Sequence, residues 1–116
     1  MLKERRHSTR VKCEIEAEIY SNIGEKYIGK GVVKNISVGG VGLLLDDSLL
    51  IHGEGVVLKF VLEKKKEVTV SGEVVYVKNE DEKFYYGIRL KGIDLLRKEL
   101  LRKYIVAKTK EIKYTL

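Results

Sequence analysis

From Cys13 the chain alternates with strict period two. Cys13, Ile15, Ala17 and Ile19 fall on one side, and Glu14, Glu16, Glu18 and Tyr20 on the other. Successive side chains of an extended chain point to opposite faces, so this pattern is a strand with one face buried and one in water. SNIGEK then supplies turn residues, with Gly24 as the expected positive-φ position, and YIGKGVVKN returns as a second strand to complete a hairpin. VGLLL is a third strand, closed by the irregular DDSLLIHGEG. Residues 56–62, 68–78 and 84–90 alternate in the same way and are separated by the basic KKK and the polar NEDEK. Val56, Leu58, Phe60 and Leu62 share one face, as do Val68, Val70, Val74 and Tyr76, and then Phe84, Tyr86, Ile88 and Leu90. Six short strands with turn-length links leave no room for crossover helices, so they pair antiparallel, and closure into a barrel removes the exposed edges. The expectation is an all-β fold, a six-stranded antiparallel barrel over residues 12–91.

The period changes in GIDLLRKELLRKYIVAKTK. Ile93, Leu96, Leu100, Tyr104 and Ala107 recur at intervals of three and four, Leu101 and Ile105 widen the stripe, and Arg97, Lys98, Lys103 and Lys108 look outward. This predicts a C-terminal amphipathic α-helix over residues 92–110, with Asp94 at its cap or first turn and Lys108 and Lys110 at its negative end. Its apolar face would cover a flank of the barrel.

At 116 residues, 44% apolar and 34% charged, the chain suits one globular domain. No run approaches the roughly 20 apolar residues of a membrane span, and MLKERRHSTR lacks the apolar segment of a signal peptide. These features predict a cytoplasmic protein that does not insert into membranes. Cys13 is the only cysteine and falls on the inward face of its strand, and with only His7 and His52 there is no spacing for structural zinc. The acidic runs EDEK and LLLDDS fall in turns, neither histidine has a nucleophile at a recognisable motif, and no phosphate-binding glycine loop is present. A binding module is expected, not an enzyme.

The net charge is +6, and Lys3, Arg5, Arg6, Arg10 and Lys12 crowd the first dozen residues against Glu4 alone. That concentration points to an anionic partner. In RRHSTR, Arg6 and Arg10 are separated by three residues, with Arg5 adjoining. Guanidinium groups bond phosphate oxygens and the O6/N7 edge of guanine in pairs, and they stack on base faces. In NISVGG, Asn35 and Ser37 hold alternate positions at a strand end, so their side chains are expected to face the same way, while Gly39 and Gly40 let a flat ligand approach the backbone.

RHSTR followed by NISVGG resembles the paired R-x-x-x-R and [DN]-x-S-x-x-G motifs of the PilZ domain family. YYGIRL at residues 85–90 is similar to the family's last strand, and LRKYI at residues 101–105 to its closing helix segment. The resemblance covers nearly the whole chain. It implies a PilZ-like split barrel that binds the bacterial second messenger cyclic di-GMP as ligand, with no other cofactor. Arg6 and Arg10 would grip phosphate and guanine from a flexible basic segment, residues 1–11. Asn35, Ser37, Gly39 and Gly40 would receive a guanine base, and Arg5 would favour an intercalated pair of ligand molecules. The chain would then be a stand-alone adaptor that changes its surface for an unidentified effector protein. Two other readings stand beside this one: a PilZ-like interaction module without nucleotide binding, and a small basic barrel that binds nucleic acid through its tyrosines. Glu14, Glu16 and Glu18 on the outside of the first strand oppose the latter, so nucleic acid is not an expected partner.

Overall fold

The computed structural model describes residues 9–22 and 26–115. Its elements are β1 (Val11–Ser21), β2 (Tyr27–Ile36), β3 (Gly40–Leu45), β4 (Gly55–Leu62), a 3-10 turn (Glu63–Lys65), β5 (Lys66–Glu80), β6 (Lys83–Lys91) and α1 (Leu95–Thr115). The strands are antiparallel and close into a barrel in the order β1-β2-β3-β6-β5-β4. The expected six-stranded antiparallel barrel with one C-terminal helix is the observed fold.

Alternation builds the core. Ile19, Val33, Ile36, Leu43, Val56, Leu58, Val74 and Tyr86 are fully enclosed, and Val41, Leu45, Phe60, Val68, Val70 and Ile88 complete the interior. Each fully buried aliphatic or aromatic side chain of this kind contributes roughly 1.5–3 kcal/mol of transfer free energy, set against the entropy of ordering the chain. The irregular connection after β3 is tied down by Leu50, whose side chain is buried and whose N–H donates to the hydroxyl of Tyr86 at 3.3 Å. Gly53, at φ 86°, lets the same connection turn back onto β5 through the Gly53 N–H to Val74 carbonyl bond of 2.8 Å.

The ladders contain four register shifts, two of them between β1 and β2, and the other two decide which side chains face the outside of the barrel near Asn35 and Tyr76. Opposite β3, Val33 pairs with Leu43 and Asn35 with Gly42, so Lys34 is an extra residue on β2. Val33 and Ile36 therefore both point inward, and Asn35 points out. On β5, Val74 pairs with Ile88 and Tyr76 with Gly87, which makes Val75 the extra residue. Tyr76, expected on the core face with Val74, is 43% exposed on the outside instead. Strict period two cannot hold across an inserted residue.

Helix α1 begins at Leu95 because Asp94 caps it. The Asp94 Oδ1 accepts the N–H of Arg97 at 2.9 Å, and Gly92, at φ 60°, turns the chain out of β6 just before. The helix lies against β1 and buries Leu101, Tyr104 and Ile105. Leu96, expected in the buried stripe, is 72% exposed, and Ala107 is exposed as well. At roughly 100° per residue both fall more than about 100° round the helix from the centre of the contact face made by Leu101, Tyr104 and Ile105.

Candidate functional site

Because β1 and β2 pair Lys12 with Asn35, Arg10 just ahead of β1 is carried to the end of β2. Its Nη1 donates to Asn35 Oδ1 at 2.9 Å. The Asn35 amide nitrogen donates in turn to the Tyr85 hydroxyl. Arg10 and Asn35, which are 25 positions apart, are thus in direct contact on the barrel surface. Arg5 and Arg6, the other arginines of the basic motif, lie outside the described residues.

Ser37 plays a different part from the one its spacing suggests. It is only 3% exposed, and its Oγ accepts the N–H groups of Gly39 at 3.1 Å and Gly40 at 3.0 Å while donating to the Gly40 carbonyl at 3.3 Å. The Ser37 N–H also donates to that carbonyl, at 2.9 Å. The hydroxyl is consumed in closing the turn between β2 and β3, whereas Asn35 faces outward. Gly39 is exposed, and its carbonyl accepts the Leu90 N–H at 3.0 Å, which fixes the turn to β6. At Gly40 an added Cβ would lie 3.1 Å from the Ile88 carbonyl and 3.7 Å from Arg10 Nη2. The bare backbone at Gly40 is a close floor beneath the guanidinium.

Register extends the surface beyond the two motifs. Asn35 pairs with Gly42, Gly42 with Gly87, and Gly87 with Tyr76, a row across β2, β3, β6 and β5. The two central glycines leave a trough in the barrel wall that side chains from either end fill. A Cβ on Gly42 would overlap the Tyr85 hydroxyl, and one on Gly87 would overlap the Tyr76 ring. The Tyr76 and Tyr85 ring centroids are 6.2 Å apart with planes tilted by 31°, and Lys78 Nζ lies 5.5 Å from the Tyr85 centroid. Burial pushes the Tyr85 phenol above its ordinary value, and donation from Asn35 opposes that rise.

Three lysines, Lys12, Lys34 and Lys78, and one carboxylate, Glu80, line an open depression of about 630 Å³ together with Asn35, Tyr76 and Tyr85. It combines cations, an amide and two aromatic faces, the groups that hold a flat anionic ligand. Lys34 is engaged with Glu14 and Lys78 with Glu80, and all four side chains are solvated, so these pairs contribute little to stability. A second depression of about 340 Å³ beside β1 and β4 carries Glu16, Glu18 and Glu67 against Lys30 and Lys59, a balance that does not suit an anion. Among the described residues no group of three His, Cys, Asp or Glu side chains could hold a metal ion, and no helix is long and apolar enough to cross a membrane.

Tyr76 and Tyr85 were not among the expected site residues. The outward position of Tyr85 follows from the alternation in YYGIRL, but its meeting with Asn35 depends on the register across β3. Tyr76 could have been found only by locating the Val75 bulge.

The PilZ domain model matches residues 4–107. No curated protein matches the chain by sequence. Among solved structures, the chain is similar to the PilZ domain with c-di-GMP of YcgR from Escherichia coli, at TM-score 0.76 and 12% identity over 97% of each chain. It is similar to the inhibitor of motility MotI/DgrA of Bacillus subtilis at TM-score 0.79 and 22% identity, covering 94% of this chain and 53% of that one. It is also similar to MrkH of K. pneumonia in its c-di-GMP complex at TM-score 0.75 and 20% identity, covering 99% and 57%. The chain therefore spans about half the length of MotI and MrkH and nearly all of the isolated YcgR domain. With a family model matched over most of its length and the same closed barrel in these structures, the chain belongs to the PilZ domain family.

Proposed function

We propose that the chain is a receptor for cyclic di-GMP and that it works by binding, without chemistry of its own. The observation that carries this reading is the contact of Arg10 with Asn35 above the bare backbone of Gly40. A guanidinium, an amide and an unobstructed backbone meet there on the outside of a rigid barrel. Cyclic di-GMP is a dianion with two guanines, and it needs planar donors for its phosphates and O6/N7 edges and a close surface for a base. The c-di-GMP named in the YcgR and MrkH structures supports the choice of ligand.

In this reading Arg10 leaves Asn35 for the ligand, joined by Arg6 and Arg5. Asn35 and the turn formed by Ser37, Gly39 and Gly40 receive guanine, with Ser37 acting through the shape of the turn. The residues ahead of β1 that carry Arg5 and Arg6 would close over the ligand through charge-assisted hydrogen bonds and stacking. The covered face would then differ enough for an effector protein to distinguish the two states. Titrating the protein with cyclic di-GMP and following its backbone amide spectra tests this reading. Saturable shifts in residues 9–12 and 35–40 are expected, and unchanged spectra would overturn it.

A further inference from the structure

We infer that Tyr85 is a positioning residue that holds the Asn35 side-chain amide with its oxygen toward the ligand. The inference rests on the cyclic di-GMP reading and adds to it how the polarity of the guanine site is set. An amide has an acceptor end and a donor end of nearly identical shape, and only its partners decide which end faces which way. Arg10 can only donate, so the atom it meets at 2.9 Å must be Asn35 Oδ1. The opposite end, Nδ2, then needs an acceptor, and the Tyr85 hydroxyl supplies it.

With Nδ2 bonded to the Tyr85 hydroxyl, Oδ1 is the end of the amide left facing the guanidinium, and it stays there for the ligand when Arg10 is drawn away. The exposed Oδ1 is then an acceptor for the N1–H and N2–H groups of guanine. A reversed amide would offer a donor to those donors.

The packing makes the arrangement rigid. Gly42 provides the space in which Asn35 Nδ2 and Tyr85 Oη meet, since a Cβ there would run into both. The Tyr85 ring also lies beside the Tyr76 ring and within 5.5 Å of Lys78 Nζ. Neither the arginine motif nor NISVGG contains Tyr85, Tyr76 or Gly42, so this support lies outside both.

The test is a double-mutant cycle read by titration with cyclic di-GMP. Tyr85→Phe removes the acceptor and keeps the ring, and should weaken binding by about three- to tenfold. Asn35→Asp presents an oxygen whichever way it turns, so adding Tyr85→Phe to it should change affinity by less than about twofold. An equal loss in both backgrounds, or no loss from Tyr85→Phe alone, would overturn the positioning role. If the unmodified protein does not bind at all, the receptor reading fails, and the side-chain amide signals of Asn35 decide the positioning claim without ligand. They should shift and exchange faster with water in Tyr85→Phe, and unchanged signals would refute the claim.

Discussion

Gly42 and Gly87 stand opposite each other on β3 and β6, and each lies beneath a tyrosine side chain that a methyl group would displace. The two glycines thus shape the outside of the barrel without contributing a functional group. Gly42→Ala should separate binding from stability. The groups a new methyl meets are the far ends of Tyr85 and Asn35, which can swing into solvent, so the cost in unfolding free energy should stay below about 1 kcal/mol. Cyclic di-GMP affinity should fall at least about tenfold. Urea denaturation and ligand titration on the same sample check both halves.

Tyr86→Phe acts on the inside of the barrel. The Tyr86 hydroxyl accepts the buried N–H of Leu50, and its loss leaves that donor without a partner. Such an orphan costs about 1–3 kcal/mol. The variant should unfold at lower urea, and hydrogen exchange should rise first at Leu50 and its neighbours, because that bond anchors the connection between β3 and β4.

The turn between β5 and β6 leaves stability to be gained. Asp81 and Glu82 both have positive φ, 49° and 68°, in the two-residue loop between the paired Glu80 and Lys83. Hairpin loops of this kind favour glycine at the second position, and a glutamate there is strained. Glu82→Gly should raise stability by about 0.5–1 kcal/mol, net of the extra freedom it gives the unfolded chain. A lowered melting temperature would contradict the turn geometry.

Alkaline pH should weaken the fold before it disturbs the neutral range. Burial pushes the Cys13 thiol above its ordinary 9.0 and, first among several causes, pushes the Tyr85 phenol above its ordinary 10.0. Both folded values exceed the unfolded ones, so the folded state binds more protons in between. The stabilisation is complete below pH 9 or so and is lost as pH rises through the folded values. Urea midpoints measured from about pH 8 to 11 should fall, and Cys13→Ala should reduce the drop. A flat profile would contradict the burial of these groups.

The strands were legible in the sequence because one wet and one dry face impose period two, and the core positions Ile19, Leu58, Val74 and Tyr86 follow from that alone. The bulges at Lys34 and Val75 were not legible. Each inserts one residue without changing composition, and each reverses the facing of everything after it, which is why Tyr76 was expected inside. Spacing also suggested that Asn35 and Ser37 face the same way. Lys34 turns Asn35 outward, and the Ser37 hydroxyl closes its own turn. The meeting of Asn35 with Tyr85 is a matter of cross-strand register, which a linear pattern does not contain. On α1 the apolar stripe was visible, but the side of the stripe that meets the barrel depends on how the helix leaves β6, so Leu96 was misplaced.

The most direct test of the receptor reading is titration calorimetry of the unmodified protein with cyclic di-GMP, alongside Arg6→Ala and Arg10→Ala. Removing either guanidinium deletes charge-assisted bonds worth roughly 1.5–3 kcal/mol, so affinity should fall by about tenfold or more. The account predicts saturable binding by the unmodified protein and a loss of at least that size in Arg10→Ala. The absence of any binding by the unmodified protein would contradict it.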